Sequence, residues 1–381
     1  MHIKTIDSVT TLGCSTWNAL VGGGYPFLRY EFLQALEESQ ATCTDSGWQP
    51  CHLVAYIDDQ PQALMPLFIK DHSYGEYVFD WSWADAYHRA GFPYYPKLVT
   101  ATPFTPATGP RLCIASDSSL DEHAVAAQFF AAVQQLAKQT KASSWHCLFP
   151  QLEVAQQFNK LGLSLRQACQ FHWFNQDFTH FDDFLATFSS RKRKNLRKER
   201  QKIGQQGIEL RRVEGTDVSA EDWQRFYQFY QLTYLKRSGH DGYLNQQFFE
   251  LIGRNLGDAL MMAQAYAGDE MVAAALFFKS DTHLYGRYWG CLEEFDGLHF
   301  EACYYQGIEY AIAQGLQCFD PGAQGEHKIQ RGFTPTATWS NHWMAEPRFH
   351  TAIEDFTRRE QPSIEAYMAE AATLLPFKQE P

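Results

Sequence analysis

Two stretches of this 381-residue chain resemble each other at an offset of about 210 residues, and this repeat constrains the fold most. The segments AYIDDQPQALMPLF (55–68) and AYAGDEMVAAALFF (265–278) share Ala, Tyr, Asp, Ala and Phe in register. Each has two apolar runs about a turn containing Asp, which is the pattern of a β-hairpin. Tyr-Gly-x-Tyr follows each, at 73–79 and 284–290, and predicts a third strand. Short identities arise by chance, but the matching order of hairpin and strand favours a duplicated α+β unit.

The remaining segments of each half fit such a unit, with helices and strands in alternation. At 381 residues two domains are the expectation. We place the boundary between Leu163 and Asp182, which gives units 1–165 and 166–381. The predicted helices are 118–139, 152–162, 182–207, 219–237 (opening with the capping-box pair Ser219 and Asp222) and 300–315, and the predicted strands are 143–149 and 316–322.

Composition favours a soluble, cytoplasmic protein without a structural metal. The N-terminus lacks a cationic start followed by an apolar run, so it does not read as a secretory signal. The longest strongly apolar stretch, 271–278, is far shorter than the roughly 20 residues of a membrane-spanning helix. The nine cysteines are scattered and never spaced C-x-x-C, which argues against disulfides and zinc.

Positive charge is concentrated in one window. Eight of the 32 Lys and Arg residues lie between Arg191 and Lys202, so the window carries +7 and the rest of the chain −19. On the predicted helix 182–207, Arg191, Lys194 and Lys198 share one side. A solvated helix face is one interpretation, but such faces usually mix charge signs. The alternative is a binding ridge for phosphate groups of a ligand or an RNA.

The segment FDPGAQGEHKIQRGF (319–333) is the second candidate site. A predicted strand ends in an Asp-Pro-Gly break, and a loop with His327, Lys328 and Arg331 follows. This pattern is that of a substrate or polyanion clamp, or of an ordinary surface loop rich in turn formers.

Taken together, these segments resemble the FemABX peptidyltransferases, relatives of the GNAT acyltransferases. The resemblance rests on the basic helix RKNLRKERQKIGQQG, the strand LYGRYWG, the segment EYAIAQGLQCFD, the loop KIQRGF and TGPRL (108–112). SYGEYVFDW, SRKRKNLRKER and HFEACYYQ further resemble a bacterial subgroup described as peptidoglycan biosynthesis/recognition or GNAT-like proteins. The likeness covers roughly residues 20–360.

The resemblance implies an α+β fold of two tandem GNAT-like units, each a mixed sheet flanked by helices. It also implies an N-acyltransferase that moves an acyl or aminoacyl group onto an amine, with a peptidoglycan precursor as acceptor. The donor would be aminoacyl-tRNA or acyl-CoA, and no other cofactor is implied. HRAGFP (88–93) and KIGQQG (202–207) do not fit the Q/R-x-x-G-x-G/A loop that holds a pyrophosphate, so neither segment supports acyl-CoA as the donor.

Aminolysis of an ester or thioester needs a proton acceptor for the amine and donors for the oxyanion. The basic ridge and the loop cations are predicted to bind the anionic substrate, and Arg287 could bind a carboxylate or phosphate bidentately. No nucleophile elbow or metal-ligand spacing is visible, which favours direct transfer. The predicted catalytic residues are Asp80, Asp85, Glu301 and His327, and the predicted substrate-binding residues are Arg191, Lys194, Lys198, Tyr285, Arg287, Tyr288, Lys328 and Arg331.

Two further function classes stay open. The first is a non-catalytic module that binds a peptidoglycan or nucleotide-sugar precursor, which ligand binding without product would favour. The second is an RNA-binding protein that uses the basic helix, which the charge of −19 elsewhere disfavours. Small phosphorylated precursors and tRNA are therefore the predicted partners, and DNA and a membrane span are not expected.

Overall fold

The computed structural model describes residues 1–323 and 325–378, which form two compact units. The first comprises Met1–Cys169 and Ala337–Ala366, and the second comprises Gln170–Thr336 and Tyr367–Pro381. This division differs from the predicted units, 1–165 and 166–381, because residues 337–366 group with the first unit. The physical reason is strand pairing, since Ser340–Met344 pair with Ser144–Leu148 of the first unit.

The first half of the chain alternates short strands with helices. Its strands are β1 (His2–Ile6), β2 (Trp48–Pro50), β3 (His52–Ile57), β4 (Gln60–Met65), β5 (Phe68–Lys70), β6 (Lys97–Thr100), β7 (Cys113–Ile114), β8 (Ser144–Leu148) and β9 (Ser164–Phe174). Its helices are α1 (Gly13–Val21), α2 (Tyr30–Glu38), α3 (Trp81–Arg89), α4 (Glu122–Thr140) and α5 (Leu152–Lys160).

The first unit contains two sheets. One has the antiparallel order β1-β3-β4-β7, and the other has the order β8-β6-β5-β2, with Ser340–Met344 paired to the outer side of β8. The strands β6 and β8 are parallel, with Leu98 opposite Trp145. The helix α4 buries Val125, Phe129 and Val133 in the same core as Trp145. The apolar stripe of α4 therefore fixes this helix to the unit's core.

The second half continues the alternation. Its helices are α6 (Phe181–Ala186), α7 (Ser190–Gln205), α8 (Ala220–Ser238), α9 (Gln246–Asn255), α10 (Leu298–Phe300), α11 (Gln306–Ala313) and α12 (Pro347–Thr373), with a π-helix at Glu301–Tyr305 and a 3₁₀ helix at Glu326–Arg331. Its strands are β10 (Ile208–Glu214), β11 (Leu260–Ala267), β12 (Glu270–Lys279), β13 (His283–Cys291), β14 (Cys318–Asp320) and β15 (Thr334–Met344).

The sheet of the second unit has the order β10-β11-β12-β13-β14-β9. The pairs from β10 to β13 are antiparallel, whereas β13 and β14 are parallel. The helix α8 packs closely on β13 at Gly290. A Cβ at this position would lie 2.1 Å from the carbonyl carbon of Phe229, so no side chain fits there. Glycine at this position is thus a packing requirement.

The predicted duplication is present in the two hairpins, including an irregularity that the sequence did not reveal. In the hairpin β3–β4 the register shifts between Ala55 and Tyr56, and in β11–β12 it shifts between Ala265 and Tyr266. A β-bulge thus occurs at equivalent positions of the repeat. In both units the hairpin lies between two antiparallel neighbours, β1 and β7 in the first and β10 and β13 in the second.

Two predicted elements are wrong, and a third, the helix 300–315, is confirmed with an irregularity. Residues 73–79 form turns instead of a strand, since Gly75 and Tyr77 have φ values of 80° and 60°. The predicted helix 182–207 is interrupted between α6 and α7, and the predicted helix 300–315 contains the π-helix turn. The capping box of α8 is confirmed, with the Asp222 amide donating to Ser219 Oγ at 3.1 Å.

Candidate functional site

A candidate site in the second unit lies where β13 and β14 diverge. Their parallel pairing covers only His283–Tyr285 opposite Cys318–Asp320. The strand β13 continues to Cys291, whereas the chain after Asp320 turns away through Pro321 and Gly322. The edge of β13 beyond Tyr285 is thus left without β14 as a backbone partner. Backbone groups at such an opening within a sheet can bind a ligand, and at this edge the Gly286 carbonyl accepts from Arg287 Nη1 at 2.8 Å.

Buried charges lie at the point of divergence. The Arg287 guanidinium forms an ion pair with Asp320, with Nη2 2.7 Å from Oδ2, and both side chains are almost fully buried. The His172 Nε2 atom is 3.7 Å from Asp320 Oδ1. Burial alone would raise the pKa of Asp320, but Arg287 and then His172 hold that pKa at about 2. Asp320 is therefore ionised, and Arg287 is engaged by an internal carboxylate.

Lys328 completes this group from the 3₁₀ helix. It is 1% exposed, and its Nζ donates to the Gly322 carbonyl at 2.6 Å and to the Ala323 carbonyl at 3.5 Å. Burial lowers the pKa of Lys328 to about 8; Asp320 opposes this shift and Arg287 adds to it. The ammonium thus lies directly beneath the loop that leaves β14. Lys328 and Arg287 thus both lie near Asp320, and their shared role in a site stays a prediction.

An aromatic cluster from the π-helix flanks the same loop. The Tyr304 hydroxyl is 2.8 Å from His327 Nε2, and the Phe300 ring is 5.5 Å from the His327 ring. Burial, and then the cations Lys328 and Arg331, lower the pKa of His327 to about 4. The imidazole of His327 is therefore neutral at pH 7 and partly exposed. A π-helical turn often marks a functional region, which fits the position of Tyr304.

Glu301, at the start of the π-helix, is engaged in a buried ion pair. Arg200 Nη2 donates to Glu301 Oε1 at 2.7 Å, and Arg200 Nη1 donates to Glu309 at 2.6 Å. The Arg200 guanidinium also stacks 4.6 Å from the Phe181 ring centroid. These side chains line a cavity of about 530 Å³ on this unit. Since Glu301 is held by Arg200, its role as a free proton acceptor would require that pair to open.

The basic ridge is solvent-exposed, as both interpretations of the sequence allow. Arg191, Lys194 and Lys198 are exposed. Within the described parts of the chain, none of the three forms an ion pair. Only Lys198 of the three lines a second cleft of about 360 Å³. Arg331 lies in the wall of that cleft, where Glu199 accepts from its Nη2 at 2.6 Å. The ridge therefore borders a cleft at its C-terminal end.

The other residues predicted for the second unit lie mainly in its core. Tyr285 and Tyr288 are buried, and Tyr288 packs against Tyr230 and Phe249 at ring distances of 5.8 and 5.6 Å. Arg331 is buried under Phe300, with its guanidinium carbon 3.5 Å from the ring centroid. These contacts give Tyr288 and Arg331 packing roles in the structure as it stands.

The two acids predicted for the first unit have different environments. Asp80 is buried, with Oδ2 2.5 Å from Lys97 Nζ and 2.6 Å from the Tyr94 hydroxyl. Burial alone would raise the pKa of Asp80, but Lys97 holds the pKa below its usual value. Asp85 is exposed on α3. The structure therefore does not bring Asp80 and Asp85 to one site.

Sequence analysis missed His172, Arg200 and Lys97. His172 pairs with a strand end 148 positions later in the sequence, and only tertiary structure reveals such a contact. Arg200 was treated as one charge among eight, although its place on the apolar side of α7 could have indicated burial. Lys97 follows Tyr95-Pro96 in an aromatic segment. The sequence around this lone Lys does not indicate the three side chains to which it donates hydrogen bonds.

The chain matches the FemAB-like family model, which is described as peptidoglycan biosynthesis/recognition, over residues 8–379. No curated protein sequence matches it. Within the described residues, no helix has the length and apolar character needed to cross a membrane.

Solved structures resemble the chain in fold. FemX is 12% identical, with a TM-score of 0.54, and the similarity covers 93% of this chain and 100% of FemX. The C-terminal domain of a putative lysylphosphatidylglycerol synthetase from Agrobacterium fabrum is 10% identical, with a TM-score of 0.54 and coverages of 90% and 95%. L-PGS from Bacillus licheniformis is 13% identical, with a TM-score of 0.50 and coverages of 85% and 95%. The predicted fold class, an α+β fold with tandem GNAT-like units, is confirmed.

Proposed function

Since the chain belongs to the FemAB-like family of peptidoglycan biosynthesis/recognition, we propose that it is an N-acyltransferase acting on an amine acceptor. The acyl or aminoacyl donor would be an aminoacyl-tRNA or an acyl-CoA, and the acceptor a peptidoglycan precursor. The observation that carries this proposal is the opening between β13 and β14, with the Lys328 ammonium buried at its mouth.

The opening suits attack of an amine on an ester or thioester carbonyl. The N–H groups of β13 that face away from β12 can bind the acyl donor as an added strand would. The tetrahedral intermediate carries a negative oxygen, and a cation in a dry site stabilises such a charge strongly. Lys328 supplies this cation once the Gly322 and Ala323 carbonyls give way to substrate. The buried pair Arg287–Asp320 fixes the strand ends that frame the opening.

His327 is the proton acceptor that the geometry favours. Its imidazole is neutral at pH 7, partly exposed, and held by the Tyr304 hydroxyl. Glu301 and Asp80 are both held in buried ion pairs, and Asp85 lies on another unit's exposed helix. The attacking amine becomes much more acidic after it bonds to the carbonyl carbon, so the weakly basic imidazole can take its proton at that step. Collapse of the intermediate then breaks the ester C–O or thioester C–S bond, and the leaving alcohol or thiol takes that proton from the imidazole.

The test is turnover by the intact chain with each donor offered separately. Purified protein is incubated with charged tRNA or with acyl-CoA and a precursor peptide that carries a free lysine amine. We expect mass spectrometry to show the acylated peptide with one donor class. Lys328→Met should lower kcat by about 100-fold, the scale of losing one oxyanion donor, whereas exposed Lys160→Met should leave kcat unchanged.

A non-catalytic precursor-binding module is the second candidate. The observation in its favour is that Glu301, Asp80 and Arg287 all have internal partners. Saturable binding of the precursor without product from either donor would support the module and reject the transferase.

A further inference from the structure

Residues 73–81 of the first unit invert the usual distribution of polar and apolar side chains. Ser73, Glu76 and Asp80 are buried, whereas the rings of Tyr74 and Trp81 are 55% and 42% exposed. Burying carboxylates while exposing aromatic rings is costly on both counts. A chain keeps such an arrangement where the exposed rings have a binding role.

Two buried lysines, Lys97 and Lys70, hold this segment in place. Lys97 uses its Nζ to donate to Ser73 at 2.8 Å, Glu76 at 2.8 Å and Asp80 at 2.5 Å. All three acceptors belong to the inverted segment, and Lys70 adds a further contact, with its Nζ donating to the Tyr74 carbonyl at 3.3 Å. The backbone is also constrained at Tyr77, a residue other than glycine with a φ of 60°. The exposed rings are therefore presented in a fixed arrangement, which lowers the entropy lost on binding.

The rings form a row that we name the aromatic strip: His72, Tyr74 and Trp81. The His72 and Tyr74 ring centroids are 5.3 Å apart, and those of Tyr74 and Trp81 are 5.2 Å apart. A carboxylate lies near each end. Asp71 Oδ1 is 3.7 Å from His72 Nε2, and Asp85 is exposed one helical turn after Trp81 on α3.

The charges around the strip indicate which ligand it fits. Of the four acids in residues 71–88, Glu76 and Asp80 pair with buried Lys97, so Asp71 and Asp85 are the exposed ones; the next cation along the chain, Arg89, donates from Nε to the Asp85 carbonyl at 3.4 Å. Aromatic faces attract cations, and exposed carboxylates add to that attraction. An anionic membrane surface would need basic residues at this position, so the segment does not suit one. Lys70 lies beneath, with Nζ 3.1 Å from His72 Nδ1, but it is buried and its pKa is lowered to about 7 by burial, so it is mostly neutral at pH 8.

We propose that the aromatic strip with Asp71 and Asp85 binds an organic ammonium group. The strip lies on the first unit, and this inference goes beyond the proposed function. Asp85 acts here as an electrostatic anchor for the ammonium, with the Trp81 ring as the cation–π partner.

The test is binding without any donor, so that it is independent of turnover. Nα-acetyl-lysine amide is titrated into ¹⁵N-labelled protein at pH 8, and the indole N–H signal of Trp81 is followed. The signal is identified by its loss in Trp81→Leu. We expect a saturable shift with millimolar affinity. The Nε-acetylated analogue, which has the same shape without the charge, should give none.

Variants supply the quantitative check. Asp85→Asn should weaken binding about two- to five-fold, the range of an exposed charge or cation–π contact. Trp81→Leu should weaken it to at least the same degree, as seen from the shift of other strip signals. Phe174→Leu, which removes an exposed ring of the second unit, is the matched control and should change nothing.

Three results would overturn the inference. They are equal shifts from the charged and acetylated ligands, no shift at Trp81, and a response to N-acetylglucosamine but not to the ammonium. The last would assign the strip to a saccharide. No acyl donor is present in this binding test. A negative binding result therefore does not contradict the transferase proposal, and absence of turnover does not contradict a positive binding result.

Discussion

Replacing Lys97 by Met removes the cation that forms ion pairs with two buried carboxylates. Lys97 is 0% exposed, and its Nζ contacts Glu76 and Asp80 at 2.8 and 2.5 Å. Methionine keeps most of the volume and removes the charge. Leaving a buried charge without its partner costs about 3–5 kcal/mol. Most domains are stable by about 5–15 kcal/mol, so this loss should be a large share of the first unit's stability.

The loss should depend on pH in a defined direction. In the native protein Lys97 holds the pKa of Asp80 below its usual value, so this contribution is present above the unfolded-state pKa and is lost at lower pH. Without Lys97, burial raises the folded-state pKa of both carboxyls above the unfolded values, as burial already raises the pKa of Glu76 to about 7. The variant's stability then falls as the pH rises. We expect the destabilisation to be smaller at pH 5 than at pH 8.

Urea unfolding followed by tryptophan fluorescence at pH 5 and pH 8 measures both quantities. The matched control is Lys160→Met, an exposed lysine of the same unit, which should change the free energy of unfolding by less than about 0.5 kcal/mol. A loss for Lys97→Met below about 1 kcal/mol, or an equal loss at both pH values, would refute the argument that Lys97 is a buried counter-ion.

Three further predictions concern other charged groups. Lys70→Met should stabilise the protein more at pH 6 than at pH 10, because burial lowers the pKa of Lys70 from its ordinary 10.5 to about 7, so the cost of burying it is full below pH 7 and fades as the pH rises from 7 to 10.5; equal Tm shifts would contradict this. Replacing Arg191, Lys194 and Lys198 by Ala should weaken precursor or tRNA binding and lower the salt slope by about 2, and an unchanged slope would indicate a merely solvated face. Asp320→Asn should lower the free energy of unfolding by about 2 kcal/mol at pH 7 and by less at pH 2, as measured by urea titration. The reason is that the pKa of Asp320 is about 2, so the stability its charge contributes is lost as the pH falls through that value.

Local signals predicted most of the elements. The Ser219–Asp222 capping box and the repeated hairpins depend on neighbouring residues, and both are present. The segment 73–79 alternates polar and apolar residues, which predicts a strand. The structure has turns there instead, and the distant Lys97 holds the segment by its bond to Glu76. Likewise, α6 and α7 share one apolar stripe, so the sequence shows no break between them.

The candidate site was predicted only in part. The loop residues His327 and Lys328 were identified because cations after an Asp-Pro-Gly break stand out in a sequence. The partners that decide their chemistry, Asp320 and Tyr304, are brought near by the sheet and the π-helix. The same holds for Arg287, whose sequence context suggests a ligand site and whose guanidinium is held by Asp320. Burial and pairing are tertiary properties, so residue type alone could not separate substrate ligands from internal ion pairs.

Deuterium uptake along β13 tests most directly whether the acyl donor binds at the strand opening. The amides of Gly286–Gly290 are compared in the free protein and in the presence of a non-hydrolysable analogue of each donor. We expect one analogue to slow exchange at the amides that face away from β12, with Lys328→Met reducing this protection. Turnover with that donor while the uptake of Gly286–Gly290 stays unchanged would contradict a site between β13 and β14.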